Sequence, residues 1–316
     1  MNQSIDKINI LIIGGPTASG KSSLAINIAK KYDAEIISAD SRQIYHQLKI
    51  GTDRMDETEW GGIKHHLMGS HNLGDKFTAF DFLIESEKII SNLSAVNKKV
   101  IVCGGTGLYL RALTEGIIEL PDHDTSYRNE LLDIAAARGP KFIHEMLEKV
   151  DPEEAAKIHF NNMIRVIRAL EIYNLIGRPK SEVINETVPR NEKFNFMQIY
   201  LVPERDQLYE RINSRVDKMF EQGLLIEAES IFKSPLEGKL KLCKIVGYTE
   251  LIAYFENHIS LTEAQNLIKQ NTRRYAKRQY TWFGNTTGAQ FVPKFGSEAE
   301  ALASCLEQIN GFWHKS

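Results

Sequence analysis

Residues 8–22 read Ile8-Asn9-Ile10-Leu11-Ile12-Ile13-Gly14-Gly15-Pro16-Thr17-Ala18-Ser19-Gly20-Lys21-Ser22, an aliphatic run that breaks into a glycine-rich turn ending on lysine and serine. The run suits a strand buried on both faces of a parallel sheet. The turn fits G-x-x-x-x-G-K-[ST] at each fixed position from Gly15 to Ser22, and Leu24, Ala25, Ile28 and Ala29 mark one face of a following helix. In such a loop the backbone N–H groups turn inward around phosphate oxygens and the helix N-terminus adds its dipole. Lys21 supplies a point charge and Ser22 a hydroxyl suited to Mg²⁺. Strand, loop and helix agree, so Gly15, Pro16, Thr17, Ala18, Ser19, Gly20, Lys21 and Ser22 are read together as a diphosphate-binding loop.

Outward from this loop the same alternation continues. A short strand over 35–39 ends at Asp40, Thr78 opens a helix, and a third buried strand over 100–103 runs into Gly104-Gly105-Thr106-Gly107. A further strand is expected over 196–202. Strands alternating with helices predict an α/β fold, a P-loop-type doubly wound parallel sheet. Between 121 and 192 the strand pattern stops. Helices are expected there over 125–137 (stopped by Gly139), 140–149 (opened by Pro140), 152–158 and 161–176 (stopped by Gly177). The predicted organisation is an α/β core built from 1–120 and 193–316, with C-terminal helices over 206–222, 224–233 and 262–283. An all-helical domain over 121–192 is inserted in it.

Composition restricts the classes further. The 316 residues are 42% hydrophobic and 25% charged, an ordinary globular balance able to bury a core. A net charge of −2 gives no global field that recruits nucleic acid, so RNA contact must come from local patches. Cys103, Cys243 and Cys305 lie far apart without C-x-x-C spacing, which excludes a thiolate zinc finger and argues against a disulfide framework. The first nine residues carry Asp6 and lack a signal-peptide apolar run; the stretch 10–13 is far short of the ~20 residues a membrane helix needs. A cytoplasmic protein with no membrane partner is expected.

The loop does not name the phosphate's owner. A nucleoside-triphosphate hydrolase usually carries a second acid at the end of another strand, whereas 100–103 ends in glycine and threonine. Asp40 is the best-placed carboxylate, because strand carboxyl ends face the ligand crevice of a doubly wound sheet. A turn or cap residue is the plainer alternative for it. Toward the C-terminus, Lys269, Arg273, Arg274, Lys277 and Arg278 are five positive residues in ten without an acid, interleaved with Tyr275, Tyr280, Trp282 and Phe283. On one helix this run forms a phosphate-tracking stripe or a solvated charged face, and the aromatics divide equally between core and stacking platforms. Arg165 and Arg168 alone would read as surface ion-pair residues, and the adjacent His65 and His66 as structural ones, lacking metal-ligand spacing.

Taken in order, six motifs resemble the tRNA dimethylallyltransferases. They are the loop at 15–22, Asp40-Ser41-Arg42-Gln43-Ile44-Tyr45, Gly104-Gly105-Thr106-Gly107-Leu108-Tyr109, Arg165-Val166-Ile167-Arg168-Ala169-Leu170-Glu171, Val246-Gly247-Tyr248 and Ala276-Lys277-Arg278-Gln279-Tyr280-Thr281-Trp282-Phe283. The loop alone is shared with many kinases; the set spans nearly the whole chain and is specific. Met68-Gly69 and Gly284 depart from the family's usual residues, and the absence of an appended zinc finger resembles the bacterial form. The resemblance implies transfer of a dimethylallyl group from dimethylallyl diphosphate to N6 of adenosine 37, beside the tRNA anticodon, by a monomer. It implies Asp40 as general base, Thr106 near donor and base, and Arg215 with Lys21 on the diphosphate. It also implies tRNA contacts at Asp40, Ser41, Arg42, Gln43, Thr106, Arg128, Asn161, Asn162, Arg165 and Arg168, joined by the stripe of Arg273, Arg274, Lys277 and Arg278.

The chemistry fits the residue types. An adenine amino group is a weak nucleophile, so a carboxylate that takes its proton contributes typically 10²–10⁴-fold. Donors aimed at the departing diphosphate stabilise the larger developing charge. Extruding the adenine is cheap in a single-stranded anticodon loop. Competing readings are a P-loop small-molecule or nucleoside kinase, a non-enzymatic nucleotide-ordered RNA switch, and an enzyme that prenylates free adenine nucleotides.

Overall fold

The computed structural model describes residues 7–187 and 193–313. The chain divides into two compact units, Met1–Thr114 with Arg190–Ser316, and Glu115–Pro189. The first unit opens with β1 (Ile8–Gly14), α1 (Lys21–Tyr32), β2 (Ala34–Ser38), β3 (His65–His66), α2 (Ala79–Ala95), β4 (Lys99–Gly104) and α3 (Gly107–Glu115). The second holds α4 (Thr125–Arg138), α5 (Pro140–Val150), α6 (Pro152–Lys157), α7 (Met163–Ile176) and α8 (Lys180–Asn185). The first unit then resumes with β5 (Phe194–Leu201), α9 (Arg205–Glu221), α10 (Leu224–Phe232), α11 (Glu237–Cys243), α12 (Tyr248–Phe255), α13 (Leu261–Gly284), β6 (Gln290–Val292) and α14 (Ala299–Trp313).

The six strands form one sheet in the order β3-β2-β4-β1-β5-β6, and every pairing is parallel. The doubly wound parallel sheet expected from sequence is therefore present. Register explains where a ligand goes. Gly14 of β1 lies opposite Gly104 of β4, and Ser38 of β2 lies opposite Cys103, so three carboxyl ends finish nearly level. The loop at 15–22, Asp40 and Thr106 each follow one of these ends, at the crevice such sheets use for ligands. The approach there is very close. A Cβ on Gly104 would lie 2.1 Å from the Ala39 carbonyl oxygen, backbone that cannot yield as a flexible side chain would. Gly104→Ala is expected to destabilise the fold by about 1–3 kcal/mol, the usual cost of overpacking. Urea unfolding measures it, and an unchanged midpoint would contradict this contact.

One face of the sheet packs Leu11, Ile13, Ile36 and Ile101 against Leu24 and Ile28 of α1 and against Cys305, Ile309 and Trp313 of α14. A second cluster gathers Ile44 and Leu48 with Val216, Leu224, Tyr248, Leu251 and Ile268 from α9, α10, α12 and α13. Two edge strands, β3 and β6, are too short at two and three residues to show alternation, so no sequence pattern predicts them. His65 and His66 are structural, as expected: His66 Nε2 lies 2.6 Å from Glu35 Oε2, and His65 Nδ1 lies 2.9 Å from the Ile63 carbonyl.

The second unit is helical throughout its described residues, around Leu131, Ile143, Leu147, Ile158, Val166, Ile167 and Leu170. Gly139 and Gly177 close α4 and α7 with φ of 84° and 74°, a region that favours glycine. Asp151 is buried and caps α6 by accepting from the Glu154 N–H at 3.0 Å. The Ser181 N–H and hydroxyl, at 2.9 and 2.7 Å, tie α8 to the same carboxylate.

Candidate active site

Gly20 caps α1 in the left-handed region, at φ 85°, which turns the loop before the helix begins. Lys21 Nζ donates to the Pro16 carbonyl at 2.7 Å, so the lysine is folded back across its own loop. Burial pushes its ammonium down to about 8, partly opposed by the nearby Asp40 carboxylate. Thr17, Ala18, Gly20, Lys21 and Ser22 line a cavity of 410 Å³. Across it stands α9, whose Arg211, Ser214, Arg215 and Lys218 recur at helical spacing on one face. Arg215 reaches furthest into the loop: Nη2 donates to Thr17 Oγ1 at 2.7 Å and Nη1 to Asp53 Oδ2 at 2.9 Å. Four cationic side chains thus surround one oxygen-seeking loop, the electrostatics of a diphosphate site.

Asp40 resolves both alternatives raised for it. Its Oδ1 accepts from the Arg42 N–H at 2.8 Å and the Gln43 N–H at 3.2 Å, making it a turn residue. Its Oδ2 has no hydrogen-bond partner among the described residues. The half-buried carboxylate lines the phosphate cavity and also a second cavity of 230 Å³. The two share Thr17, Asp40, Thr52, Arg215 and Tyr275. Thr106 packs beside it, its Oγ1 accepting from the Ser41 N–H at 2.9 Å and its own N–H donating to the Ala39 carbonyl at 3.1 Å. One tethered oxygen and one unengaged oxygen leave Asp40 oriented and able to accept a proton. Tyr275 stays a phenol, since burial and then Asp40 push it up to about 12.

The residues proposed for RNA contact fall into two groups. Ser41, Arg42 and Gln43 follow Asp40 in its turn, and Arg42 is exposed at the second cavity. Gln43 is committed to structure, its Nε2 donating to the Thr52 and Asp53 carbonyls at 3.0 and 3.1 Å. On α13, Arg273 bonds Asn213 Oδ1 at 2.5 Å and Lys269 pairs with Asp217 at 2.6 Å, while Arg274, Lys277 and Arg278 are exposed. Within the helical unit, Asn161, Asn162 and Arg165 are exposed at the start of α7. Arg128 and Arg168 instead neutralise the fully buried Glu171: Arg128 Nη2 donates to Oε2 at 2.9 Å and Arg168 Nη1 lies 3.4 Å from the same oxygen. A buried carboxylate needs such partners, so these two arginines hold α7 whatever else they touch.

Several contributors were not assigned a role from sequence. Gln279 joins the ends of β1 and β4: its Oε1 accepts from the Thr17 N–H at 2.8 Å and its Nε2 donates to the Gly105 carbonyl at 2.9 Å. Glu227 of α10 accepts from the backbone N–H groups of Lys49, Ile50 and Gly51 at 3.0, 2.9 and 3.0 Å, and from the Tyr248 hydroxyl at 2.5 Å. It holds the loop that presents Thr52 and Asp53. Gln279 and Tyr248 lie inside motifs quoted above, but only the three-dimensional arrangement shows what they join.

Ser22, Asp53 and Glu59 line the phosphate cavity as hard oxygen donors. Among the described residues no group of three or more His, Cys, Asp or Glu forms a metal cage. Such a set suits Mg²⁺ held jointly with substrate phosphate oxygens, the ion's usual mode. Lys21 gives a pH test. Burial lowers the ammonium to about 8, so its charge is complete only well below that pH and is progressively lost as pH rises through it. The kcat/KM for that ester is expected to fall as pH rises through about 8, well before an ordinary lysine near 10.4 would discharge. Lys21→Arg keeps its charge and should flatten this limb; an equal decline in both proteins would assign it to another group.

Sheet, loop and cationic wall define a P-loop α/β protein with a carboxylate set beside its glycine-rich loop. The chain belongs to the IPP transferase family, whose model matches residues 43–286. The loop at 15–22 and Asp40 precede that segment, but the relatives extend over them. A tRNA dimethylallyltransferase of Geobacter metallireducens is 38% identical across 98% of this chain and 99% of its own. Its counterpart tRNA dimethylallyltransferase 2 of Geotalea daltonii is 39% identical across 92% and 89%. Among solved structures, the full-length tRNA isopentenylpyrophosphate transferase of Bacillus halodurans superposes with a TM-score of 0.72 at 35% identity, covering 98% of each chain. A eukaryotic dimethylallyltransferase acting on tRNA gives 0.75 at 28% identity, covering 96% of this chain and 79% of that one. Among the described residues no helix is long and apolar enough to cross a membrane.

Proposed function

We propose that the protein transfers a dimethylallyl group from dimethylallyl diphosphate to N6 of adenosine 37 in tRNA, acting as a cytoplasmic monomer. The observation that carries the mechanism is the unengaged Oδ2 of Asp40, at the wall shared by the phosphate cavity and its neighbour. The loop N–H groups, Lys21 and Arg215 bind the diphosphate and stabilise the charge it gains as the allylic carbon–oxygen bond breaks. Asp40 takes the N6 proton as the carbon–nitrogen bond forms. Thr106 keeps the turn of Asp40 and Ser41 in place. Ser22, with Asp53 and Glu59 on the wall of the same cavity, would hold Mg²⁺, which when bound would supply further charge neutralisation. The exposed Arg42, Arg274, Lys277 and Arg278 of the first unit, and the exposed Asn161, Asn162 and Arg165 of the second, are the side chains from which tRNA contacts are drawn.

The relatives' activity on tRNA supports this reading over a small-molecule kinase. The test is incubation with dimethylallyl diphosphate, Mg²⁺ and unmodified tRNA, followed by mass spectrometry of the nucleosides. Dimethylallyl-adenosine is expected only when tRNA is present. Phosphoryl transfer from ATP to a metabolite, without the prenylated nucleoside, would overturn it.

A further inference from the structure

The buried face of α13 carries Ala264, Ile268, Thr272, Ala276, Gln279 and Phe283. Phe283 packs against Tyr200 of β5, ring centroids 4.7 Å apart, and holds the helix to the sheet. Thr272 turns its hydroxyl back to the Ile268 carbonyl of its own helix. Gln279, 6% exposed, instead reaches out of the helix. Its Oε1 accepts from the Thr17 N–H at 2.8 Å and its Nε2 donates to the Gly105 carbonyl at 2.9 Å. Both partners are backbone groups of fixed polarity, so the amide has a single orientation. An ionised carboxylate of the same length, with acceptors alone, could not bridge them.

Gly105 shows how closely the amide is seated. A Cβ there would stand 2.4 Å from Gln279 Nε2, while its next neighbours, Gln279 Cδ and the Gly15 carbonyl oxygen, lie at an ordinary 3.5 Å. Gly105 is not at positive φ, so a methyl group at this position would displace the glutamine amide and strain nothing else. Thr17 is held from two sides: α13 takes its N–H, and α9 its hydroxyl, to which Arg215 Nη2 donates at 2.7 Å. Thr17 and Arg215 line both the phosphate cavity and its neighbour. We propose that Gln279 is a positioning residue for the transfer. It fixes the loop at Thr17 and, through the Thr17 hydroxyl, aligns the Arg215 guanidinium with the departing diphosphate. One loop N–H is thereby withheld from phosphate and serves alignment instead. Donors stabilise developing charge only where they are aimed at it, and a misplacement of about 1 Å can cost on the order of 10²-fold in rate. This role rests on the transfer proposed above and adds a residue that acts on its donor side.

The test measures single-turnover rates of the full-length enzyme on an unmodified anticodon stem-loop at saturating donor, with the dissociation constant of the stem-loop alongside. Gln279→Ala is expected to lose about 10- to 10²-fold in rate with that constant unchanged. Gln279→Met keeps the length and the apolar stem but neither hydrogen-bonding atom, and should lose as much. Gly105→Ala retains every atom of Gln279 and pushes its amide aside, so its loss should be of the same order. In the Gln279→Ala/Gly105→Ala double variant the added methyl group has nothing to displace, and the rate should equal that of Gln279→Ala alone. A Gln279→Met rate near wild type would reduce the residue to packing and overturn the role. So would a loss confined to stem-loop affinity, or single losses that multiply in the double variant. Prenylation of the stem-loop by the wild type reports separately on the parent function.

Discussion

Asp40→Asn is expected to slow the chemical step by 10²–10⁴-fold while leaving both substrates bound. The substitution is close to isosteric and can keep an oxygen at the position of Oδ1, where the Arg42 and Gln43 N–H groups donate at 2.8 and 3.2 Å. The turn therefore survives, and only Oδ2, the oxygen without a protein partner, exchanges a proton acceptor for an amide donor. A loss of that size corresponds to roughly 2.7–5.4 kcal/mol of transition-state stabilisation. Single-turnover rates at saturating donor and stem-loop, with dissociation constants measured alongside, separate chemistry from binding. An Asp40→Asn enzyme with the wild-type single-turnover rate would remove the base from the mechanism. A loss confined to affinity would make Asp40 a positioning residue alone.

Lys21→Met is the second large effect. The side chain keeps an unbranched stem one atom shorter and loses its charge at the centre of the loop, so the departing diphosphate forfeits a donor aimed at it. Removing one such preorganised donor costs about 2.7–4 kcal/mol, or 10²–10³-fold in rate. The loss should appear in kcat/KM for the donor and spare the dissociation constant of the stem-loop. Lys21 Nζ bonds only the Pro16 carbonyl of its own loop in the described structure, so the variant breaks no contact between distant elements. Near-normal turnover by Lys21→Met would mean that Arg215 and its neighbours carry the diphosphate unaided.

Much of the fold was legible because β1 and β4 are short aliphatic runs that end in glycine, and because α4 and α7 end on glycines at positive φ. The edge strands at 65–66 and 290–292 escaped, since two or three residues cannot display a period of two. The fifteen-residue helix α14 also escaped, though its Ala301, Cys305 and Ile309 seal one face of the sheet. At the site, contiguous motifs pointed to the loop, Asp40 and Thr106. Asp53 and Glu227 were invisible, because each acts on a residue more than 150 positions away and neither belongs to a local pattern. Conversely, Arg168 alone reads as a surface ion-pair residue and Arg128 enters only as a tRNA contact that the resemblance implies, and only folding reveals the buried Glu171 as the partner of both.

The carboxylate of Glu227 has an implication for selectivity. Successive amide hydrogens converging on one point make an anion receptor with no side chain required, and the turn at 49–51, whose Gly51 lines the second cavity, is another such receptor. Glu227 plugs it from within the chain. On the function proposed above, a pyrophosphate ester would meet one free set of amide donors rather than two, which would favour a single orientation of its allylic end.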